Sequence, residues 1–182
     1  MTGKSGMLMM CLLCLSAWVQ AETAAPPLRA IPNLDLHRYA GRWYEIARYP
    51  NRFQRRCVAD TTAEYTPNPD GTVAVLNTCQ TGSGEMISAR GTARRVGTAD
   101  SATLEVRFAP AWLSFIPAVW GDYWVIDLDD DYRLAAVSEP QREYLWILSR
   151  TPTASSQAYG ALLERIRSAG LDPEKLVSTP QH

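Results

Sequence analysis

From residue 42 to residue 150, apolar and polar side chains alternate in short runs and form no helical stripes. Alternation with a period of two places successive side chains on opposite faces of a strand. The runs are Arg42–Tyr49, Cys57–Thr66, Thr72–Gln80, Glu85–Val96, Ala102–Phe108, Tyr123–Leu128, Arg133–Ser138 and Glu143–Arg150. Pro67-Asn68-Pro69-Asp70-Gly71 separates the second from the third, and Asp-Gly tolerates the positive φ of a tight hairpin. Gly97–Ser101 and the acidic Asp129-Asp130-Asp131 mark two more turns. Short strands joined by tight connections predict an all-β fold, either an up-and-down barrel or a sandwich. An α/β fold would need helices between the strands, and none is visible.

The period changes only near the end. Tyr159, Leu162, Leu163 and Ile166 fall at i, i+3, i+4 and i+7, one apolar stripe on an otherwise polar helix. Thr151-Pro152-Thr153 is a start signal and Gly170 a stop. Such a helix lies with one face against the outside of a sheet. Asp172-Pro173 predicts a further short turn before an extended tail.

The amino terminus follows another pattern. Lys4 precedes an apolar run from Met7 to Leu15, and Val19-Gln20-Ala21 fits the small-x-small cleavage rule. The run is shorter than the roughly 20 residues that span a bilayer, which argues for a cleaved signal peptide over 1–21 rather than a membrane anchor. A lipoprotein anchor needs a small residue before the modified cysteine. Cys11 follows Met10 and Cys14 follows Leu13, so that route is disfavoured. The expectation is an exported, periplasmic protein with an extended arm over 22–33.

Composition narrows the function. The 182 residues are 46% hydrophobic and 20% charged, an ordinary globular balance. A net charge of −1 argues against a nucleic-acid partner. His37 and His182 are the only histidines, too few for a multi-His metal site, and no cofactor is implied. Six Trp and eight Tyr against three Phe suit a cavity that is part wet and part apolar. Export would leave Cys57 and Cys79 as the remaining cysteines, a disulfide candidate in an oxidising compartment. A reactive thiol is the rival reading.

Three segments carry a resemblance. They are Gly41-Arg42-Trp43-Tyr44-Glu45-Ile46-Ala47-Arg48, then Tyr123-Trp124-Val125-Ile126-Asp127-Leu128-Asp129, then Tyr144-Leu145-Trp146-Ile147-Leu148-Ser149-Arg150-Thr151-Pro152 leading into the helix. Their order and spacing resemble the conserved regions of the lipocalin family, its bacterial branch and apolipoprotein D above all. Where many lipocalins carry Thr-Asp-Tyr in the second region, this chain has Leu128-Asp129-Asp130 and matches only at Asp129. The resemblance implies a lipocalin domain over 34–182: an eight-stranded antiparallel up-and-down barrel, closed at one end, with the C-terminal helix packed outside. It implies that Gly41, Trp43, Asp129 and Arg150 build the base, with Arg150 across Trp43 as a cation–π pair. These are fold residues rather than ligand contacts.

An eight-stranded barrel is just wide enough for one small apolar ligand. Borrowing the family's facing, Ala59 and Ala63 point inward on the second strand, with Thr61 and Tyr65. Val75 and Asn77 do so on the third, with Cys79, and Ile87 and Ala89 on the fourth. Val106 and Phe108 follow on the fifth, Tyr123 and Val125 on the sixth, Ala136 on the seventh, and Tyr144 and Trp146 on the eighth. A slip of one residue inverts any of these. The alanines leave volume empty, and the aromatic rings have polar tips. The set suits a long apolar tail with its polar head near the mouth. Cys57 and Cys79 share the inward face near that mouth.

The stretch Phe108–Trp120, with Trp112 and Phe115 at its centre, contains no charge, although connecting loops are normally polar. It predicts a binding rim, a peripheral membrane contact or a self-association patch; the alternative is a flap folded over the mouth. Arg52, Arg55 and Arg56 fall in the first loop, either a solvated charged loop or a partner for a carboxylate or phosphate head group. The function this implies is a carrier, monomer or homodimer, of a fatty acid, lysophospholipid or similar lipid. A thiol-dependent enzyme and an envelope self-association module are the competitors. No catalytic group is assigned, because neither histidine falls inside the barrel; Glu45 is the one acid that would face in with Trp43.

Overall fold

The structure is a computed structural model that describes residues 26–182; the signal-peptide boundary, Cys11 and Cys14 lie outside the described residues. Eight strands form the expected barrel: β1 (Gly41–Arg48), β2 (Cys57–Pro67), β3 (Val73–Thr81), β4 (Met86–Arg95), β5 (Thr103–Arg107), β6 (Gly121–Leu128), β7 (Leu134–Ser138) and β8 (Leu145–Ser149). Each pairs antiparallel with the next, and β1 pairs with both β8 and β2, which closes the sheet on itself. The β2–β3 hairpin turns where the Asp-Gly signal places it, with Gly71 at φ +82° and the Asp70 carboxylate accepting from the Thr72 amide at 2.9 Å.

The helix α2 (Ser156–Ser168) begins after the Ser155 cap, whose hydroxyl accepts from the Ala158 amide. It ends on Gly170 at φ +81°, with the Leu171 and Gly170 amides donating to the Ile166 and Arg167 carbonyls. That pairing closes the last turn and needs a left-handed residue between. Leu162 and Ile166 are buried against the outer face of the sheet, with Leu134, Ala136, Leu145 and Ile147 beneath them.

This outer core corrects one assignment. Ala136, expected in the cavity, lies under α2, and Ala135 and Val137 face the barrel interior instead. Val137 pairs with the inward-facing Val125, so its neighbour Ala136 faces outward, and the β6–β7 ladder then shifts register between Val125 and Asp127. Beyond it Asp127 turns outward and accepts two hydrogen bonds from Arg165 of α2, at 2.6 and 2.9 Å.

The base is built around Trp43, which is fully buried. The Arg150 guanidinium lies 4.0 Å from its ring centre and donates to the carbonyls of Tyr132, Arg42 and Arg38. Gly41, at φ +89°, brings the backbone beneath that guanidinium. The Asp129 carboxylate accepts from the Arg133 and Leu134 amides and so shapes the β6–β7 turn. A short helix α1 (Leu36–Tyr39), capped by Asp35, lies across the base and positions Tyr39 for the Trp43 indole, which donates to its carbonyl at 2.8 Å.

The wall has a seam. β1 and β2 pair only from Gly41–Tyr44 against Thr62–Tyr65. Asp60, at φ +50°, then bends β2 away. A ninth strand, β9 (Val177–Ser178), pairs with Ala47 and Arg48 in the vacated position. The Asp60 amide donates to the Pro180 carbonyl, and the Gln181 amide bridges the Glu45 and Thr61 carbonyls. Hydrogen bonds from His182, the backbone amide first, hold the Asp60 carboxyl below its usual range. Glu45, 3% exposed, is the node of this seam. Its carboxylate accepts from Arg48 at 2.8 Å, Thr179 at 2.5 Å and Gln54 at 2.6 Å.

Glu45→Ala leaves the Arg48 guanidinium buried without its counter-charge. Removing one partner of a buried pair costs about 3–5 kcal/mol. The urea midpoint is expected to fall accordingly, with faster amide exchange at Thr179; an unchanged midpoint would show that the seam does not depend on this carboxylate.

Candidate functional site

Inside the barrel, above Trp43, is a cavity of about 870 Å³ open at the end where the β1–β2 loop, the β5–β6 loop and the β7–β8 turn meet. Small-molecule sites are usually about 300–1,000 Å³. Ala63, Val75, Asn77, Ile87, Ala89 and Val106 form the middle of the wall, and Phe108, Tyr144 and Trp146 its upper part, with Tyr123 reaching in from β6. Tyr144 and Trp146 stack with centroids 5.7 Å apart, and Phe53 leans on Tyr144 at 5.4 Å. The Phe108 ring fits because β4 carries Gly91 opposite it, where a Cβ would come within 2.9 Å of the ring.

Four expected wall residues lie elsewhere. Ala136 faces α2, as described. Val125 points inward but is packed in the core at the base, below the cavity. Ala59 is buried beside the Asp60 bend and is not on the cavity surface, because the ladder shifts there. Trp112 is 72% exposed and Phe115 77%, so the centre of the β5–β6 loop projects into solvent rather than folding over the mouth. Two short 3-10 turns, Ala111–Leu113 and Pro117–Val119, hold it in that shape. Trp120 anchors its end, donating to the Ser114 carbonyl, with the Arg94 guanidinium 4.0 Å over its ring.

The mouth is more acidic than the arginine-rich first loop predicts. Of its three arginines only Arg52 lines the cavity; Arg55 and Arg56 are exposed and point elsewhere. Glu45, Asp122, Glu139 and Glu143 all contribute to the wall. Glu139 is committed to its own turn, accepting from the Gln141, Glu143 and Tyr144 amides. Burial, then the charges of Glu105 and Glu139, pushes the Asp122 carboxyl up. Gln54 links the seam to the cavity, accepting from the Trp146 indole at 2.8 Å. Cys57 and Cys79 form a disulfide on the wall, with Cα atoms 5.5 Å apart. It consumes both thiols found among the described residues.

The lower cavity holds one group that the strand pattern does not single out, Tyr39. Tyr39, Tyr65 and Tyr123 meet there: the Tyr123 hydroxyl is 2.8 Å from that of Tyr39 and 2.8 Å from that of Tyr65. Tyr39 arrives on α1, which has too few residues to show a period. The Asp35 cap before Leu36-His37-Arg38-Tyr39 is the signal that could have found it. Burial raises the pKa of all three phenols, that of Tyr65 to about 12.

A closed barrel around a largely apolar cavity, based on an Arg-clasped Trp and flanked by a helix, defines the lipocalin class. The model of the Lipocalin-like domain matches residues 34–181, and the chain belongs to the lipocalin family. It is 44% identical over 161 residues to temperature-induced lipocalin-1 of Arabidopsis thaliana, covering 87% of this chain and 86% of that one. It is 37% identical over 166 residues to the outer membrane lipoprotein Blc of Escherichia coli, covering 90% and 89%. Among solved structures it resembles insecticyanin from the tobacco hornworm, with a TM-score of 0.64 at 20% identity over 85% of each chain.

The buried phenols make stability pH-dependent at the alkaline end. Their folded pKa values lie above the unfolded value near 10, so the folded state keeps protons that the unfolded chain loses. Stability is therefore full below pH 10 and falls as the pH rises towards 12, and Tyr65→Phe is expected to flatten that fall. Urea titrations at pH 8 to 11 check it; equal slopes for both proteins would refute it.

Proposed function

We propose that the protein is an exported carrier that holds a fatty acid, lysophospholipid or similar acyl lipid in the barrel for transport or storage. The observation that carries this reading is the open, largely apolar cavity inside a closed wall. Burying an acyl chain contributes about 0.8 kcal/mol per CH₂, so a long tail supplies the affinity without any catalytic group. In this reading the wall from Ala63 to Trp146 touches the tail, and the head group stays at the mouth beside Arg52. The disulfide suits an oxidising compartment, and relatives named outer membrane lipoproteins support an envelope location, the periplasm in our reading.

Native mass spectrometry of the protein purified from its own envelope is expected to show a bound mass of a few hundred daltons, identified after extraction as an acyl lipid. Addition of hexadecanoate or a lysophospholipid is expected to quench the Trp146 emission. An empty protein that takes up neither would overturn the carrier reading.

The exposed Trp112 and Phe115 favour a second contact, with a membrane surface or a second copy, through the β5–β6 loop. Replacing both with Ser is expected to lower liposome association or shift the sedimentation profile toward the monomer. No change in either measurement would count against that contact.

A further inference from the structure

The three tyrosine hydroxyls at the bottom of the cavity form one chain, Tyr39–Tyr123–Tyr65, with both links at 2.8 Å. Each phenol has one proton to donate. Two links use two of the three protons, whichever way they run. If both outer residues donate to Tyr123, the Tyr123 proton is left over. If the chain runs in one direction, the proton of the last member is left over. In every arrangement one donor remains, at the closed end of the cavity, away from the mouth.

A buried donor without a partner is costly, so the site favours an occupant that accepts from it. The charge of that occupant is constrained as well. Among the described residues Arg52 is the only cation on the cavity wall, and it sits in the mouth loop. The Arg150 guanidinium beneath Trp43 is committed to three backbone carbonyls. A carboxylate or phosphate brought down to the phenols would lose its water and gain no counter-charge. Burial keeps the phenols protonated across the physiological range, so they act as neutral donors.

We propose that the floor of the cavity is a hydrogen-bonding subsite for one neutral oxygen at the buried end of the ligand, a carbonyl, ether or hydroxyl, supplied by the Tyr39–Tyr123–Tyr65 chain. This rests on the carrier reading and deepens it: the preferred cargo is an acyl or other long apolar molecule oxygenated near its tail end, not a plain hydrocarbon tail. The polar head remains at the mouth, so the ligand is marked at both ends.

The test compares hexadecanoate with 15-oxohexadecanoate, which have the same head group and differ by one ketone near the tail end. Infrared spectra of the delipidated protein loaded with the ¹³C-labelled ketone are expected to show the carbonyl band at lower frequency than in a hydrocarbon solvent. The phenol C–O band of ring-labelled tyrosine is expected to move with the ketone and not with hexadecanoate. Replacing Tyr39, Tyr65 and Tyr123 together with Phe keeps the rings and removes every donor. The ketone's affinity relative to hexadecanoate is then expected to fall roughly 5- to 10-fold, the worth of one hydrogen bond. A ketone band at the hydrocarbon position, or a tyrosine band that the ketone leaves unmoved, overturns the proposal, and both are read on the unmodified protein. If neither ligand binds at all, it is the carrier reading that fails.

Discussion

Arg150 is the side chain on which the interior depends. Its guanidinium lies flat beneath Trp43 and gathers three carbonyls, from α1, β1 and the β6–β7 turn, onto one charge. Charge-assisted hydrogen bonds of this kind are among the stronger ones a protein makes. With Trp43 fixed, its indole N–H fixes the Tyr39 carbonyl, and the Tyr39 ring packs against it at 4.9 Å. Tyr39 then places its hydroxyl against Tyr123, and Tyr123 against Tyr65. The polarity of the cavity floor is thus a consequence of a clasp on the other side of Trp43.

The two ends of the cavity differ in kind. The floor is neutral and hydrogen-bonded. The mouth is open, mostly acidic, and framed by the rings of Phe53, Tyr144 and Trp146. Between them the wall is aliphatic, though Asn77 and Thr61 each bury an oxygen that has no partner within the protein. Asn77 and Thr61 lie closer to the mouth than Tyr65 along their strands, so the interior offers polar contacts at more than one depth. A cavity built this way orients a long guest as well as holding it.

Much of this was legible in the sequence, and the exceptions share a cause. Where one sheet face is wet, as on β2, buried Ala63 and Tyr65 alternate with more exposed neighbours, and the pattern shows. On β7 every residue from Leu134 to Ser138 is buried, because α2 covers the outer face. With no contrast between faces, alternation alone does not show that Ala136 faces outward. Ala59 departs from the alternation for a different reason, a bend at Asp60 that the sequence pattern does not announce. Trp43 and Arg150 were readable because their motifs are long and distinctive. Tyr39 was not, since Leu36–Tyr39 is a single turn. The seam leaves no pattern in the sequence, because β9 has only two residues and its partners lie at the far end of the chain.

That seam also governs when the molecule becomes a barrel. Thr179 meets Glu45 across 134 residues of chain, and Gln181 meets it across 136. Contacts so distant in sequence carry a large closure entropy and form late. Until residues 177–182 arrive, the mouth half of β1 is a bare strand edge, and bare edges recruit other strands. The segment that completes the wall therefore ends the interval in which a newly made chain is adhesive.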